Sequence, residues 1–369
     1  MIKTNLIYSK FLSSFITSIF IISLGIFLVL CPKESYFGVK EGINMCLNIL
    51  IPSLFPFIFF SSLIVNSGVS KIIGNWFCFV SKYLFFLPSE SFSVIILSLI
   101  GGFPVGAKGI VDLFEKNIID SKQAERMLRF CVNAGPAFIL GVIGNSLIHN
   151  MYIANIILIS QIISSLLIAT ISGVLSRKSE KTSFYAKKEN NKISFICALI
   201  DSCESSSRAI IDMCVLIIFF NVLSIFLDKL QIISIFTIIL SKFGFSQEIS
   251  KCFPQIIMEV TKSCKMMSQN GIFPCLLSFA TSWGGFCVHF QVFSIVKKIK
   301  INYLSFFAFR ILNAFLSSFL VFIITKLENV KLYMRTIEIP QTSTHILGSI
   351  AVICCCLIFL LDINLKNKV

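Results

Sequence analysis

Four ionisable side chains interrupt otherwise apolar sequence. They are Lys108 in GGFPVGAK (101–108), Glu259 in PQIIMEVT (254–261), His289 in WGGFCVHFQ (283–291) and Arg310 in SFFAFRILNAFL (305–316). A charge buried in hydrocarbon without a partner costs at least a few kcal/mol, so each of these groups implies a protein partner or a ligand. Arg310, near the centre of its run, costs roughly 2.5–3.5 kcal/mol on insertion scales and must face protein, with Asn313 one turn along the same face. Two uses are open to Glu259 and Arg310: a structural ion pair, or contacts with a solute. Lys108 either snorkels to the membrane interface or meets an anion.

The same segments carry chain breaks. Pro104 lacks an N–H and clashes with a preceding carbonyl, while Gly101, Gly102 and Gly106 let backbone come close to a ligand or a neighbouring helix. Asn133-Ala134-Gly135-Pro136-Ala137 is a second break, with Pro136 suited to begin a helix whose free N–H groups and dipole favour an anionic group. Gly284 and Gly285 form a third. An unwound backbone in a bilayer is tolerated only where protein or a water-lined cavity satisfies it, so these motifs belong inside a helix bundle. The candidate substrate-binding set is Gly101, Gly102, Phe103, Pro104, Val105, Gly106, Lys108, Asn133, Gly135, Pro136, Glu259, Thr261, Gly284, Gly285, His289, Gln291 and Arg310. The glycine motifs serve equally as packing notches.

The elements that position these residues are membrane helices. Of 369 residues, 56% are hydrophobic and only 14% charged; the mean hydropathy is +0.89. An all-α, polytopic membrane protein follows. Residues 11–30 carry no charge and read as a first spanning helix; the run is long for a signal peptide and lacks a small-residue cleavage site. Further apolar runs fall near 49–66, 150–175, 209–227, 230–240, 302–325 and 345–361. The pieces at 89–105, 131–148 and 272–296 read as broken or re-entrant helices. The charged stretch 111–130 reads mostly as a solvated face, with Ser121 as a helix cap. His149 and His345 are expected at interfaces.

The net charge of +14 reports topology. Residues 177–192 hold six basic residues against Glu180 and Glu189, so the loop is expected in the cytoplasm, as are Lys297, Lys298 and Lys300, and both termini. Basic residues confined to gaps between apolar runs argue against nucleic acid as a partner. The 14 cysteines include Cys354, Cys355 and Cys356 in an apolar run and no C-x-x-C pair, a pattern of free thiols used as small apolar residues. No hydrolase elbow, P-loop or zinc-protease motif occurs, and neither a cofactor nor a metal site is expected.

The basic loop divides two halves that echo each other. Residues 51–63, IPSLFPFIFFSSL, align without gaps on 211–223, IDMCVLIIFFNVL, and GGFPV (101–105) is echoed by GGFCV (284–288). Corresponding Gly/Pro-broken segments in two halves point to a transporter-like site between repeats. The organisation expected is an N-terminal tail and first helix (1–40), a first half (41–175), a basic loop (176–192), a second half (193–325) and a C-terminal helix and tail (326–369).

LIPSLFPF, GGFPVGAK, SKQAERMLRFCVNAGPAF, MEVT and GGFCVHFQV, in that order, resemble the YlbJ-type sporulation integral membrane proteins of endospore-forming bacteria, within the wider nucleoside-recognition or Gate-domain membrane proteins. The resemblance covers roughly 40–325. It departs from the pattern where KSCKMM replaces a glycine that often follows EVT. It implies two Gate-like halves and a place in the outer forespore membrane. The implied role is movement of dipicolinic acid toward the spore, with Lys108, His289 and Arg310 suited to an aromatic dicarboxylate. A nucleoside-like solute carrier and a non-transporting structural protein of the spore envelope are the alternatives. The lipid bilayer and a small anionic substrate are the expected partners; a homo-oligomer is compatible with the sequence.

Overall fold

The computed structural model describes residues 2–176, 194–269 and 274–327, and all regular structure among them is helical. The basic loop 177–192, the apolar run 345–361, His345 and the cysteines at 354–356 lie outside the described residues.

The chain opens with α1 (Ile2–Leu30) and α2 (Pro32–Met45). Pro32, placed at the start of α2 where its missing N–H is harmless, accompanies a 100° bend between the two. A π-helical turn, Cys46–Leu50, leads into α3 (Ile51–Asn66), which bends by 85° into α4 (Val69–Trp76). After a second π-helical turn, Val80–Leu84, come α5 (Ser91–Gly101), α6 (Phe103–Glu115), α7 (Ser121–Leu128), a π-helical segment Ala137–Leu147 and α8 (Met151–Ser176). The second half runs α9 (Phe195–Lys229), α10 (Ile232–Lys242), α11 (Gln247–Met258), α12 (Val260–Gln269), α13 (Pro274–Trp283), α14 (Gly285–Ile295) and α15 (Tyr303–Leu327). Among the described residues α8, α9 and α15 are each long and apolar enough to cross a membrane, and the two bent pairs bring the number to as many as five. The apolar run 230–240 becomes α10, which at 11 residues is too short to cross alone and buries none of them.

From α3 to α8 and from α9 to α15 the chain runs through a helix, a short helix, a helix pair broken at one residue, a short helix, a second break, a short segment and a long helix, with the π-helical turn Val80–Leu84 additional in the first series. In these two series the breaks at Gly102 and Glu259 take the same place in order, as do those at 133–136 and 284. The words GGFPV and GGFCV therefore fall at different breaks. The packing has the same pattern: α3 lies on α9 and α8 on α15, while α6 meets α14 and the π-helical segment meets α12.

Close approach is bought by small residues. Gly38 and Gly42 of α2 face α9, where a Cβ on Gly42 would stand 2.8 Å from the Ile218 Cα. Serines line the buried face of α8 (Ser160, Ser164, Ser165, Ser172), and Ser278 of α13 shares a 2.8 Å hydrogen bond with Ser317 of α15.

The charged stretch 111–130 departs from expectation. Asp112, Gln123 and Arg126 are buried, and Arg126 donates to the Ser176 hydroxyl and the Phe86 carbonyl. Cap duty falls to Asp120, whose side chain accepts from Gln123 N at 2.7 Å while the Gln123 side chain accepts from Asp120 N at 3.0 Å. Ser121 instead donates to the Lys300 carbonyl, and Lys298 pairs with Glu115 at 2.6 Å, so the turn after α6 and the lysine loop after α14 share one end of the protein. The turn residue His149 is exposed, with φ +48°. The eleven described cysteines are free thiols.

Candidate functional site

The breaks are built on backbone that glycine alone adopts easily. Gly102, with φ +92° and ψ −170°, separates α5 from α6, and a Cβ there would stand 3.0 Å from Gly135 N. Gly285, with φ +79°, begins α14; a Cβ on it would stand 3.0 Å from Glu259 N and from the Met258 carbonyl. Within each half, then, one break crosses directly over the other.

A cavity of about 760 Å³, including its open mouth, lies where these crossings meet. Gly101, Gly102, Phe103, Pro104 and Gly135 reach it from the first half, Glu259, Thr261 and Gln291 from the second. The starts of α6, of the π-helical segment and of α12 all lie on its wall. The remaining wall is apolar and includes Met45, Leu50, Leu54, Phe138, Ile217 and Val288. Sequence patterning gave these no distinguishing signal, since each sits in an ordinary apolar run.

Glu259 is 7% exposed and occupies the extended residue between α11 and α12. One carboxylate oxygen accepts from Thr261 N at 2.9 Å, the other from Lys262 N at 2.6 Å, so the side chain caps the start of α12. Gln291, also buried, donates to the Cys287 thiol at 3.3 Å.

The other candidate residues lie off the cavity wall and satisfy protein groups. Lys108 pairs with Asp112 one turn along α6, and Asp112 also accepts from the Ser62 hydroxyl at 2.9 Å. His289 sits in an aromatic box of Trp283, Phe286, Phe306 and Phe307; its Nε2–H donates to the Trp283 carbonyl at 2.8 Å. Val105 packs in the core with Ile58 and Met213, Gly106 lies against the Cys131 carbonyl, and Gly284 lies against the Phe103 ring. Pro136 is half-buried beside the cavity-lining Ala137.

Arg310 is fully buried and donates to two carbonyls, Val132 O and Ser282 O, which immediately precede the breaks at 133–136 and 284. No ion pair joins it to Glu259 among the described residues. Its guanidinium complements the carbonyl-rich ends of two interrupted segments, where a cation is favoured. Next to it Asn313 donates to Asn133 Oδ1 at 3.2 Å and accepts from the Ser164 hydroxyl at 2.5 Å. Asn133 also accepts from Ser165 at 2.7 Å, and Gln161 donates to the Ala134 carbonyl at 2.9 Å. Gln161, Ser164 and Ser165 were not singled out from sequence, although their i, i+3, i+4 spacing in an apolar run marks one polar helix face.

Fold and site together define a polytopic helical membrane protein with an internal, largely apolar cavity at crossed helix breaks. The chain is 23% identical over 325 residues, 80% of its own length and 78% of the relative's, to the sporulation integral membrane protein YlbJ of Bacillus subtilis (strain 168). That similarity supports the YlbJ-type resemblance of the motifs and a sporulation membrane protein. No family profile matches the chain, and no solved structure does.

Proposed function

We propose that the protein is a carrier or facilitator that moves a small organic solute across a membrane of the sporulating cell. The observation that carries this reading is the cavity at the meeting of the breaks, walled by the starts of interrupted segments from both halves. Interrupted helices around a central cavity are the usual architecture of solute sites in membranes. The recurring element order supports a duplicated architecture in which Gly102 matches Glu259. Dipicolinic acid across the outer forespore membrane is the solute and place that the YlbJ-type resemblance implies; the basic residues flanking the spans support both termini in the cytoplasm.

The cavity chemistry supports a second reading, a nucleoside-like solute. Lys108, His289 and Arg310 are engaged with protein groups, and the ionisable side chain on the wall is Glu259. A negative charge brought within about 4 Å of a carboxylate costs about 4 kcal/mol at an effective dielectric constant of about 20. An uncharged solute with hydrogen-bond donors avoids that cost. Uptake of labelled dipicolinate and labelled uridine into vesicles containing the purified protein, against empty vesicles, tests both. Saturable entry of one solute is the expected result. Entry of neither would remove the carrier reading and favour a structural protein of the spore envelope.

A further inference from the structure

Glu259 lies on the cavity wall, more than nine-tenths buried, with no basic side chain paired to it among the described residues. Lys262, the nearest lysine in sequence, offers it a backbone N–H, and Asp228 at the end of α9 and Cys287 lie within electrostatic reach of that lysine. The thiols of Cys264 on α12 and Cys287 on α14 lie within electrostatic reach of the carboxylate and bring no positive charge. Each carboxylate oxygen accepts one N–H and keeps a lone pair available. Thr261 and Gln291 line the same wall. No cluster of three or more acidic, histidine or cysteine ligands exists among the described residues. A single carboxylate balances one positive charge, and multivalent ions are held by several such ligands.

We propose that Glu259 is a monovalent-cation site, for a proton or Na+, through which the cavity couples solute movement to an ion gradient. The cation neutralises the carboxylate when the solute arrives, which lets an anion enter without repulsion and gives a neutral solute a driving force. The coupling half of this proposal rests on the carrier reading; the cation site itself does not.

The test uses the full chain in detergent and in vesicles. Binding of radioactive Na+ and the infrared carboxyl band on acidification are measured for the native protein and for Glu259→Gln, and uptake of dipicolinate and uridine is measured under Na+ or pH gradients. The expected result is either about one Na+ bound per chain or a protonated-carboxyl band, in each case lost in Glu259→Gln, with the matching gradient stimulating native uptake at least tenfold. In case Glu259→Gln does not fold, reaction of native Glu259 with dicyclohexylcarbodiimide, which attacks the protonated acid, is followed by peptide mass. Slowing by Na+ identifies the Na+ form of the site, and slowing by alkaline pH alone the proton form. Signals that persist in a folded Glu259→Gln, or labelling indifferent to both Na+ and pH, would overturn the proposal. Cation binding at Glu259 with no flux of either solute would support the site and remove the carrier reading. Flux indifferent to both gradients would remove the coupling.

Discussion

Replacing Arg310 by methionine keeps the side chain's length and removes its charge, leaving Val132 O and Ser282 O buried without their donor. Each stranded carbonyl costs about 1–3 kcal/mol, or roughly 2–6 kcal/mol for the two. The inserted but unfolded chain carries the same arginine through the same bilayer, so its insertion penalty largely cancels between the states. At the lower bound of that range the folding equilibrium falls about thirtyfold. Arg310→Lys, with one compact ammonium in place of a fork, is expected to lose about half as much, because it reaches one carbonyl at a time. Reversible unfolding in mixed micelles reads these values. The decisive measurement is a double-mutant cycle with Glu259→Gln. If Arg310 serves the two carbonyls, the two substitutions add to within about 0.5 kcal/mol. An ion pair between them would instead make Arg310→Met strand a carboxylate at about 3–5 kcal/mol, and Glu259→Gln would restore the loss. Rescue of that kind, or native stability in Arg310→Met, would refute the carbonyl clamp.

Lys108→Met is expected to lose about 3–5 kcal/mol because it leaves Asp112 buried and unpaired; the double replacement with Asp112→Leu recovers most of it, and recovery of neither level nor thermal stability would contradict the pairing. Gly285→Ala places a Cβ at positive φ and 3.0 Å from Glu259 N, with an expected cost of about 1–3 kcal/mol in the same unfolding assay. Asp120→Ala removes half of a capping box and is expected to cost about 1 kcal/mol; an unchanged midpoint would show that α7 is held by packing alone. Single cysteines introduced at Asn117 and Lys300 in a cysteine-free background are expected to react with impermeant reagents from the same side, the cytoplasm by the positive-inside rule; labelling of the two from opposite sides would contradict the shared end seen in the structure.

The breaks and their interior placement were legible in the sequence because Gly and Pro act locally: Gly102, Pro104 and Gly284 interrupt helices by their own backbone chemistry. Partners were not. Lys108 finds Asp112 one turn away, a pairing hidden by the assumption that a charged stretch is solvated. Arg310 and Glu259 were plausible partners by charge, yet the structure gives one to carbonyls 178 and 28 residues distant and the other to its own helix start. Which buried donor meets which acceptor depends on tertiary contacts that no local pattern encodes. GGFPV and GGFCV meet in the interior, Gly284 against the Phe103 ring, yet they take different places in the order of elements, because a glycine word marks a close approach wherever one is needed.

Arg310 belongs to the second half and serves a carbonyl in each. The halves thus share an asymmetric dependence. A chain cut in the 177–192 loop would yield a first fragment with Val132 O unclaimed, and two copies of that fragment would have no arginine to exchange. Two copies of the second fragment would carry two arginines, each with a Ser282 O and neither with a Val132 O. The second half supplies the donor that the first half's break carbonyl needs, and only the pair in one complex satisfies both Val132 O and Ser282 O.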